Sequence, residues 1–247
     1  MVDIVIPAWN NHALTGACVM SIKQHTDVPF RIIIVDDGSK PAYQGGLEGT
    51  FDVLQMPENV GFTAAVNAGL EISTTELVCI MNNDIQVTAR WLPRMLNHMQ
   101  NYPNIGMLVP TQQHMGGRTC ALFNDGRVVL ETVRYAPAFC ALFRKSALDA
   151  VGLFDPAIGK NGVSDLDMCL RMRESGRDIA IARDVFLHHV GQCSIKETEE
   201  WKSGEYQRVN YKELPTLRAK WGDQAVDAML TKALVPLARY SAYGKVE

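Results

Sequence analysis

Residues 30–35, Phe-Arg-Ile-Ile-Ile-Val, form an apolar and mostly β-branched run that ends in Asp36-Asp37-Gly38-Ser39. Such a run suits a strand buried on both faces, and strands of that kind belong to parallel sheets with helices above and below. The flanking segments keep the same rhythm. Residues 3–7, 52–56 and 77–81 read as further strands, and residues 13–24, 64–73 and 91–100 as helices. Leu14, Cys18 and Ile22 give the first helix its i, i+4 stripe, and Pro93 stands early in the third, where proline is tolerated. The alternation predicts an α/β fold: a Rossmann-like mixed, mostly parallel sheet with helices on both faces. Ligands of such sheets gather at the carboxyl ends of the strands. Polar clusters stand there: Trp9-Asn10, Asp36-Asp37 and Asn82-Asn83-Asp84.

The second half is less regular. Gly116-Gly117 and Asn124-Asp125-Gly126 are turn signals. Residues 127–132, 139–143 and 179–187 read as strands, and residues 145–151 and 165–175 as helices closed by Gly152 and Gly176. No repeat, low-complexity stretch or Pro/Ser-rich linker divides the 247 residues, which predicts one continuous domain. Lys and Arg number 24 against 27 Asp and Glu, a net charge of −3 that gives no broad footprint for nucleic acid. A single nucleotide needs only a local site. The 6 cysteines include no C-x-x-C pair, and Cys79, Cys140 and Cys169 sit in apolar runs, as reduced thiols do. There is no signal-peptide pattern at the N-terminus and no run of about 18 apolar residues, so the expectation is a cytoplasmic protein without a transmembrane span.

Four clusters carry side chains fit for chemistry, and each has a plain structural reading beside it. Asn82-Asn83-Asp84 offers oxygen ligands for Mg²⁺ or Mn²⁺, or is simply a turn. Asp36-Asp37 offers a carboxylate to a base or ribose, or caps its own loop. Asp165 and Asp167 open a helix, where both favour the positive end of the dipole. Residues two apart on a helix do not share a face, so one acid can serve as general base while the other pairs with Arg171 at i+4. Side chains alternate along a strand, so only one of His188 and His189 can enter a cleft.

Taken in order, these segments resemble family 2 glycosyltransferases of the GT-A fold. In the first half the resemblance rests on Ile4-Val5-Ile6-Pro7-Ala8-Trp9-Asn10, Ile34-Val35-Asp36-Asp37-Gly38-Ser39, residues 58–69 from Glu58 to Gly69, and Met81-Asn82-Asn83-Asp84. In the second it rests on residues 139–148, Val151-Gly152-Leu153-Phe154-Asp155, residues 165–171 and His189-Val190-Gly191. Tyr206 to Asn210 and Trp221-Gly222 look like the family's C-terminal helical region. The resemblance implies inverting transfer of one sugar from a nucleotide-diphosphate donor (UDP-sugar first, dTDP-rhamnose second) to a hydroxyl of a saccharide or lipid-linked acceptor. It divides the chain into a nucleotide-sugar half (1–110), an acceptor half (111–195) and a C-terminal helical region (196–247).

By the same resemblance Pro7, Ala8, Trp9 and Asn10 form the nucleotide loop, with the Trp9 indole in a position usually held by Tyr. Asp37 matches the acid that binds the base, and Gly61, Phe62 and Asn67 lie in a block that contacts base and ribose. Asn82, Asn83 and Asp84 occupy the D-x-D position. Asp84 is the implied ligand of Mn²⁺ or Mg²⁺, and Asn82 stands where the first Asp usually is, as in a rhamnosyltransferase-like branch. Asp165 matches the general base, with Ser164 in place of the usual Glu. His189 matches a histidine that completes the metal or diphosphate site, with His188 as the alternative and Ser194 five positions later. The Q-x-x-R-W signature of processive synthases is absent. Two other functions stay open: a catalytically silent nucleotide-sugar-binding module, and a nucleotidyltransferase of similar fold, which residues 7–11 oppose by lacking Gly, Lys and Arg. Residues 225–240 read as an amphipathic segment. It either touches a membrane peripherally or packs on the catalytic domain or in a homodimer, and Pro236 favours the second reading.

Overall fold

In a computed structural model, the structure describes residues 1–44, 51–113, 127–159, 163–191, 213–232, 236–242 and 244–246. The first half is the expected parallel unit. Strand β1 (Val2–Ala8) lies between β2 (Phe30–Asp36) and β4 (Leu77–Met81), and β3 (Phe51–Gln55) extends the sheet beyond β2, all in parallel. Helix α1 (His12–His25) follows β1, α2 (Phe62–Glu71) follows β3, and α3 (Trp91–Asn101) follows the two-residue strand β5 (Ile85–Gln86).

Alternation along β1 assigns the two layers. Val5 pairs with Ile33, and Val35 stands two residues on, so Val5 and Val35 share a face, which α2 covers. Met81 belongs to the opposite face, and there Cys18 of α1 directs its Sγ at the Met81 Sδ, 3.8 Å away. The approach of α2 depends on Gly69. A Cβ at that position would run into Val5 Cγ1 and come within 3.0 Å of Val35 Cγ2. Gly69→Ala is therefore expected to destabilise the fold by about 1–3 kcal/mol through overpacking, although alanine is the better helix former. A chemical denaturation midpoint below wild type at unchanged slope checks this.

The second half joins the sheet largely antiparallel. Strand β8 (Cys140–Arg144) pairs with β4, β6 (Ile105–Gln112) with β8, and β9 (Asp178–His189) runs parallel to β6. Strand β7 (Leu130–Val133) follows β9, then β10 (Ala238–Ser241) and β11 (Gly244–Lys245). Helices α4 (Lys145–Val151) and α5 (Ser164–Glu174) flank a short 3-10 turn at Pro156–Ile158. The C-terminal helices are α6 (Leu214–Trp221) and α7 (Asp223–Lys232). Among the described residues no helix is long and apolar enough to cross a membrane. Cys18, Cys79, Cys140 and Cys169 are buried free thiols, and Cys120 and Cys193 lie outside the described residues. So do the turn signals at 116–117 and 124–126.

Beside the two-residue strands β5 and β11, which were not expected, two longer segments differ from the sequence expectation. Strand β6 was not expected, because Gly106 and Pro110 interrupt its apolar run. Pro110 is tolerated because the register with β9 slips immediately after it: Pro110 faces Ala182, and Thr111 faces Phe186. The amphipathic segment 225–240 is not one helix. Helix α7 ends at Lys232, and residues beyond Pro236 form β10, where Arg239 Nε lies 3.2 Å from buried Glu131 Oε1. Apolar spacing alone does not separate a helix from an edge strand that follows a proline.

Candidate active site

The loops after β1 and β2 are tied together at the carboxyl edge. Asn10 and Asn11 both take left-handed backbone angles, φ 52° each, which asparagine tolerates better than most residues. The Asn10 N–H donates to Ser39 Oγ (2.7 Å), and Asn10 Oδ1 accepts from the Lys40 N–H (3.1 Å). Pro7 and Ala8 are the last residues of β1, opposite Val35 and Asp36, and Trp9 follows half-buried. The two acids divide their work. Asp36 closes its own loop, accepting from Ser39 N (3.1 Å) and Tyr43 N (2.7 Å). Asp37 reaches across to the segment before α2, accepting from Val60 N (2.7 Å) and Gly61 N (3.0 Å). Gly38, at φ 69°, leaves no room for a side chain, since a Cβ would strike the main chain of Glu58 and Asn59.

Three polar side chains expected at a nucleotide are placed as follows. Asn67 uses both ends of its amide on the main chain of Phe154: Nδ2 donates to the carbonyl (2.7 Å) and Oδ1 accepts from the N–H (3.0 Å). Asn83 donates to Thr15 Oγ1 (3.0 Å), which fixes the turn after β4 against α1. Asn82 is part-exposed, and its main-chain N–H donates to the Phe139 carbonyl (2.8 Å). Phe62 opens α2 with its ring edge-on to Phe154, centroids 6.4 Å apart.

Strand pairing explains the next contact. Ile85 of β5 lies opposite His189 at the end of β9, which brings the preceding Asp84 to the imidazole. Asp84 Oδ1 and His189 Nε2 are 3.3 Å apart, and both residues are buried. His188 points the other way and is exposed, so the alternation noted in the sequence is resolved in favour of His189. His189 is held through its ring and its main chain. Nδ1 is 2.6 Å from Gln112 Oε1, the ring stacks on Phe139 at 5.2 Å, and Gln113 exchanges two hydrogen bonds with the His189 main chain. A carbonyl oxygen at Nδ1 accepts the proton carried there, which fixes the ring so that Nε2 is the nitrogen turned toward Asp84.

This donor set fits a divalent cation. Two neighbouring octahedral ligands at about 2.1 Å stand about 3 Å apart, close to the observed 3.3 Å. Among the described residues no group of three His, Cys, Asp or Glu side chains forms a metal cage. A pair suits Mn²⁺ or Mg²⁺, which take their remaining ligands from water and substrate phosphate.

Asp165 lies in the first turn of α5. Its Oδ2 accepts from the Tyr135 hydroxyl (2.8 Å) and its Oδ1 from the Leu166 N–H (2.9 Å). Burial pushes its pKa up to about 6, against the opposing pull of these bonds. Asp167 is committed elsewhere. It accepts from Arg171 Nε (2.8 Å) and Trp221 Nε1 (2.8 Å), with Lys220 Nζ at 2.8 Å. It thus ties α5 to α6 and, through Arg171, to the Val151 and Gly152 carbonyls. Asp167→Ala is expected to cost about 3 kcal/mol, because it removes the fully buried carboxylate that Arg171 and the Trp221 indole share, while Lys220 keeps its ion pair with Asp155. Thermal unfolding of the variant measures this.

The stretch from Tyr135 to Phe139 joins the two centres. Tyr135 and the Ala138 main chain hold Asp165, while Phe139 stacks on His189 and its carbonyl takes the Asn82 N–H. Four residue steps span at most about 14 Å, so the residues that hold Asp165 and the one that stacks on His189 stand close together on one stretch of chain. Tyr135, Gln112 and Gln113 gave no signal in the sequence, and Phe139 entered only as the first residue of an expected strand and of a block that carries the resemblance. Ser194 and residues 206–210 lie outside the described residues.

A family model described as glycosyl transferase family 2 matches residues 3–152. The chain belongs to glycosyl transferase family 2. Among curated relatives of this family-2 chain, a pre-mycofactocin glycosyltransferase of Mycobacterium tuberculosis is 28% identical over 214 residues, covering 79% of this chain and 44% of the relative. The succinoglycan biosynthesis protein ExoM of Rhizobium meliloti is 24% identical over 173 residues, covering 64% of this chain and 56% of ExoM. The chain thus spans about half the length of these relatives. Among solved structures, GalNAc-T7 with UDP, GalNAc and Mn²⁺ superposes with a TM-score of 0.66 at 13% identity, covering 95% of this chain and 59% of that one. The mannosyltransferase PcManGT of Pyrobaculum calidifontis, in complex with GDP-Man and Mn²⁺, gives 0.58 at 19% identity, covering 76% and 56%. These likenesses show the GT-A fold.

Proposed function

We propose that this family 2 chain is an inverting glycosyltransferase that moves one sugar from a nucleoside-diphosphate donor to a hydroxyl of a saccharide or lipid-linked acceptor. The observation that carries the reading is the Asp84–His189 pair at the carboxyl edge of the sheet, joined by the Tyr135-to-Phe139 stretch to a carboxyl group with a raised pKa.

In this reading the nucleotide lies over the loops after β1 and β2. The Trp9 indole offers a stacking face. Asp37, anchored by Val60 and Gly61, places a carboxylate at the loop edge where a base N–H would meet it. Uracil and thymine carry such a donor at N3 and guanine one at N1, and UDP is proposed first and dTDP second. Asn82 is placed for the ribose, while Asn67 and Asn83 shape the site through their structural bonds. Asp84 and His189 would hold the cation, which supplies neutralisation of charge on the departing diphosphate. The imidazole ligand favours Mn²⁺ over the oxygen-seeking Mg²⁺.

Asp165 takes the proton of the acceptor hydroxyl as that oxygen attacks the anomeric carbon. The new C–O bond forms as the bond to the diphosphate breaks on the opposite face, so the configuration inverts and no covalent enzyme intermediate arises. A base with a pKa of about 6 is largely ionised at neutral pH and still close enough to accept a proton readily.

The reading is tested by a thermal-shift screen of UDP-, dTDP- and GDP-sugars with Mn²⁺ and with a chelator. Binding to the folded state raises the melting temperature with ligand concentration. A Mn²⁺-dependent shift with UDP- or dTDP-sugars is expected. No shift with any nucleotide sugar would overturn the assignment.

A further inference from the structure

We propose that Tyr135 is a positioning residue for the base: its hydroxyl holds Oδ2 of Asp165, fixes the plane of the carboxylate and stabilises its ionised form. The inference rests on the reading of Asp165 as the general base.

The geometry comes first. The Tyr135 O–H donates to Asp165 Oδ2 across 2.8 Å, and both side chains are part-buried. A hydrogen bond to an ionised acceptor is about twice as strong as a neutral one. Tyr135 lies in the connection between β7 and β8, outside the strand ladders, so its position is not imposed by sheet pairing. Among the described residues, the groups facing Asp165 come from two elements, besides its own main-chain N–H. From the β7–β8 connection come the Tyr135 phenol and the Ala138 main chain, and from α5 come the Leu166 N–H and the Cys169 thiol. The second acid of that helix turn, Asp167, is engaged with Arg171, Trp221 and Lys220.

In such a setting burial works against the carboxylate, and the Tyr135 hydroxyl leads the interactions that oppose it. The phenol itself is held well above its ordinary pKa by burial and by Asp165, so it remains a donor throughout the working range. A proton on Asp165 removes the base. Tyr135 therefore sets how far toward acid pH the enzyme retains it. Because the main chain running from Tyr135 reaches Phe139 and His189, the same stretch keeps the base in register with the diphosphate end of the cleft.

The test follows the Asp165 carboxyl directly and needs no substrate. Protein carrying ¹³Cγ-labelled aspartate is titrated by NMR, and the Asp165 signal is assigned by its loss in Asp165→Asn. The midpoint in Tyr135→Phe is expected to rise above wild type by about one pH unit, a tenfold change in proton affinity. Replacing Tyr135 by a fluorotyrosine keeps the shape and makes the phenol a stronger donor, so the midpoint is expected to fall. These opposite shifts are not produced by loosened packing. An unchanged midpoint in both variants overturns the role of Tyr135. Asp165→Asn that still releases nucleoside diphosphate at the wild-type rate, with the donor selected above, overturns the base assignment instead and leaves the measured coupling standing.

Discussion

Asp165→Asn is expected to slow sugar transfer severely and, at the same time, to make the protein more stable. The first effect follows from loss of the base. General base catalysis contributes about 10²–10⁴-fold, so turnover is expected to fall by about 10³-fold while donor affinity is kept. The second follows from the pKa. Burial raises Asp165 from 3.8 to about 6, so the folded state prefers the neutral acid. Its contribution to stability is fully present below pH 3.8, is lost as pH rises through about 6, and leaves an ionised buried group as a constant penalty above that. The amide is neutral at every pH and still accepts from the Leu166 N–H. The variant is therefore expected to gain of order 1–3 kcal/mol at pH 8 and nothing at pH 3.5. Thermal melts at the two pH values check this. A variant less stable than wild type at pH 8 would show that the carboxylate is held for the fold. In wild type, turnover is expected to fall on the acid side of about pH 6 as the base protonates.

Asp84→Asn is expected to reduce turnover by about 10²–10³-fold, the cost of losing one charge-stabilising contact in a water-poor site. The amide is the same size, and the hydrogen bond from the Val190 N–H to the Asp84 main-chain carbonyl is retained, so the fold should survive. The loss falls on the cation. Raising Mn²⁺ should restore part of the rate in Asp84→Asn and none of it in Asp165→Asn. Gln112→Leu is a milder form of the same defect. It releases the Nδ1–H of His189 without touching the diphosphate end, and outer-shell losses of this kind cost about 10–100-fold in metal affinity. Release of nucleoside diphosphate across a Mn²⁺ series separates the three variants.

Much of this was legible in the chain, for reasons that differ by segment. The runs ending at Ala8, Asp36 and Met81 are mostly apolar and buried along most of their length, so their ends announced where polar side chains would collect. Asp167 and Arg171 were readable as a pair because helical i, i+4 spacing brings them together, whereas the Trp221 and Lys220 contacts join residues more than fifty positions apart. Period-two alternation said that one of His188 and His189 enters the cleft. Choosing between them needed the pairing of Ile85 with His189, and β5 is too short to leave a sequence pattern. Strand β6 was hidden by Gly106 and Pro110, and with it the two glutamines that hold His189. Tyr135 sits in an irregular connection, where no periodicity could have aimed it at Asp165.

The central claim, that Asp84 and His189 hold a cation on the donor diphosphate, is tested most directly by titrating Mn²⁺ into the protein with and without UDP and following free Mn²⁺ by electron paramagnetic resonance. Weak binding alone, strengthened at least about tenfold by UDP and lost in Asp84→Asn, is the expected result, since protein and diphosphate each supply part of the ligand set. Mn²⁺ affinity that ignores UDP, or that is the same in wild type and Asp84→Asn, would contradict the account.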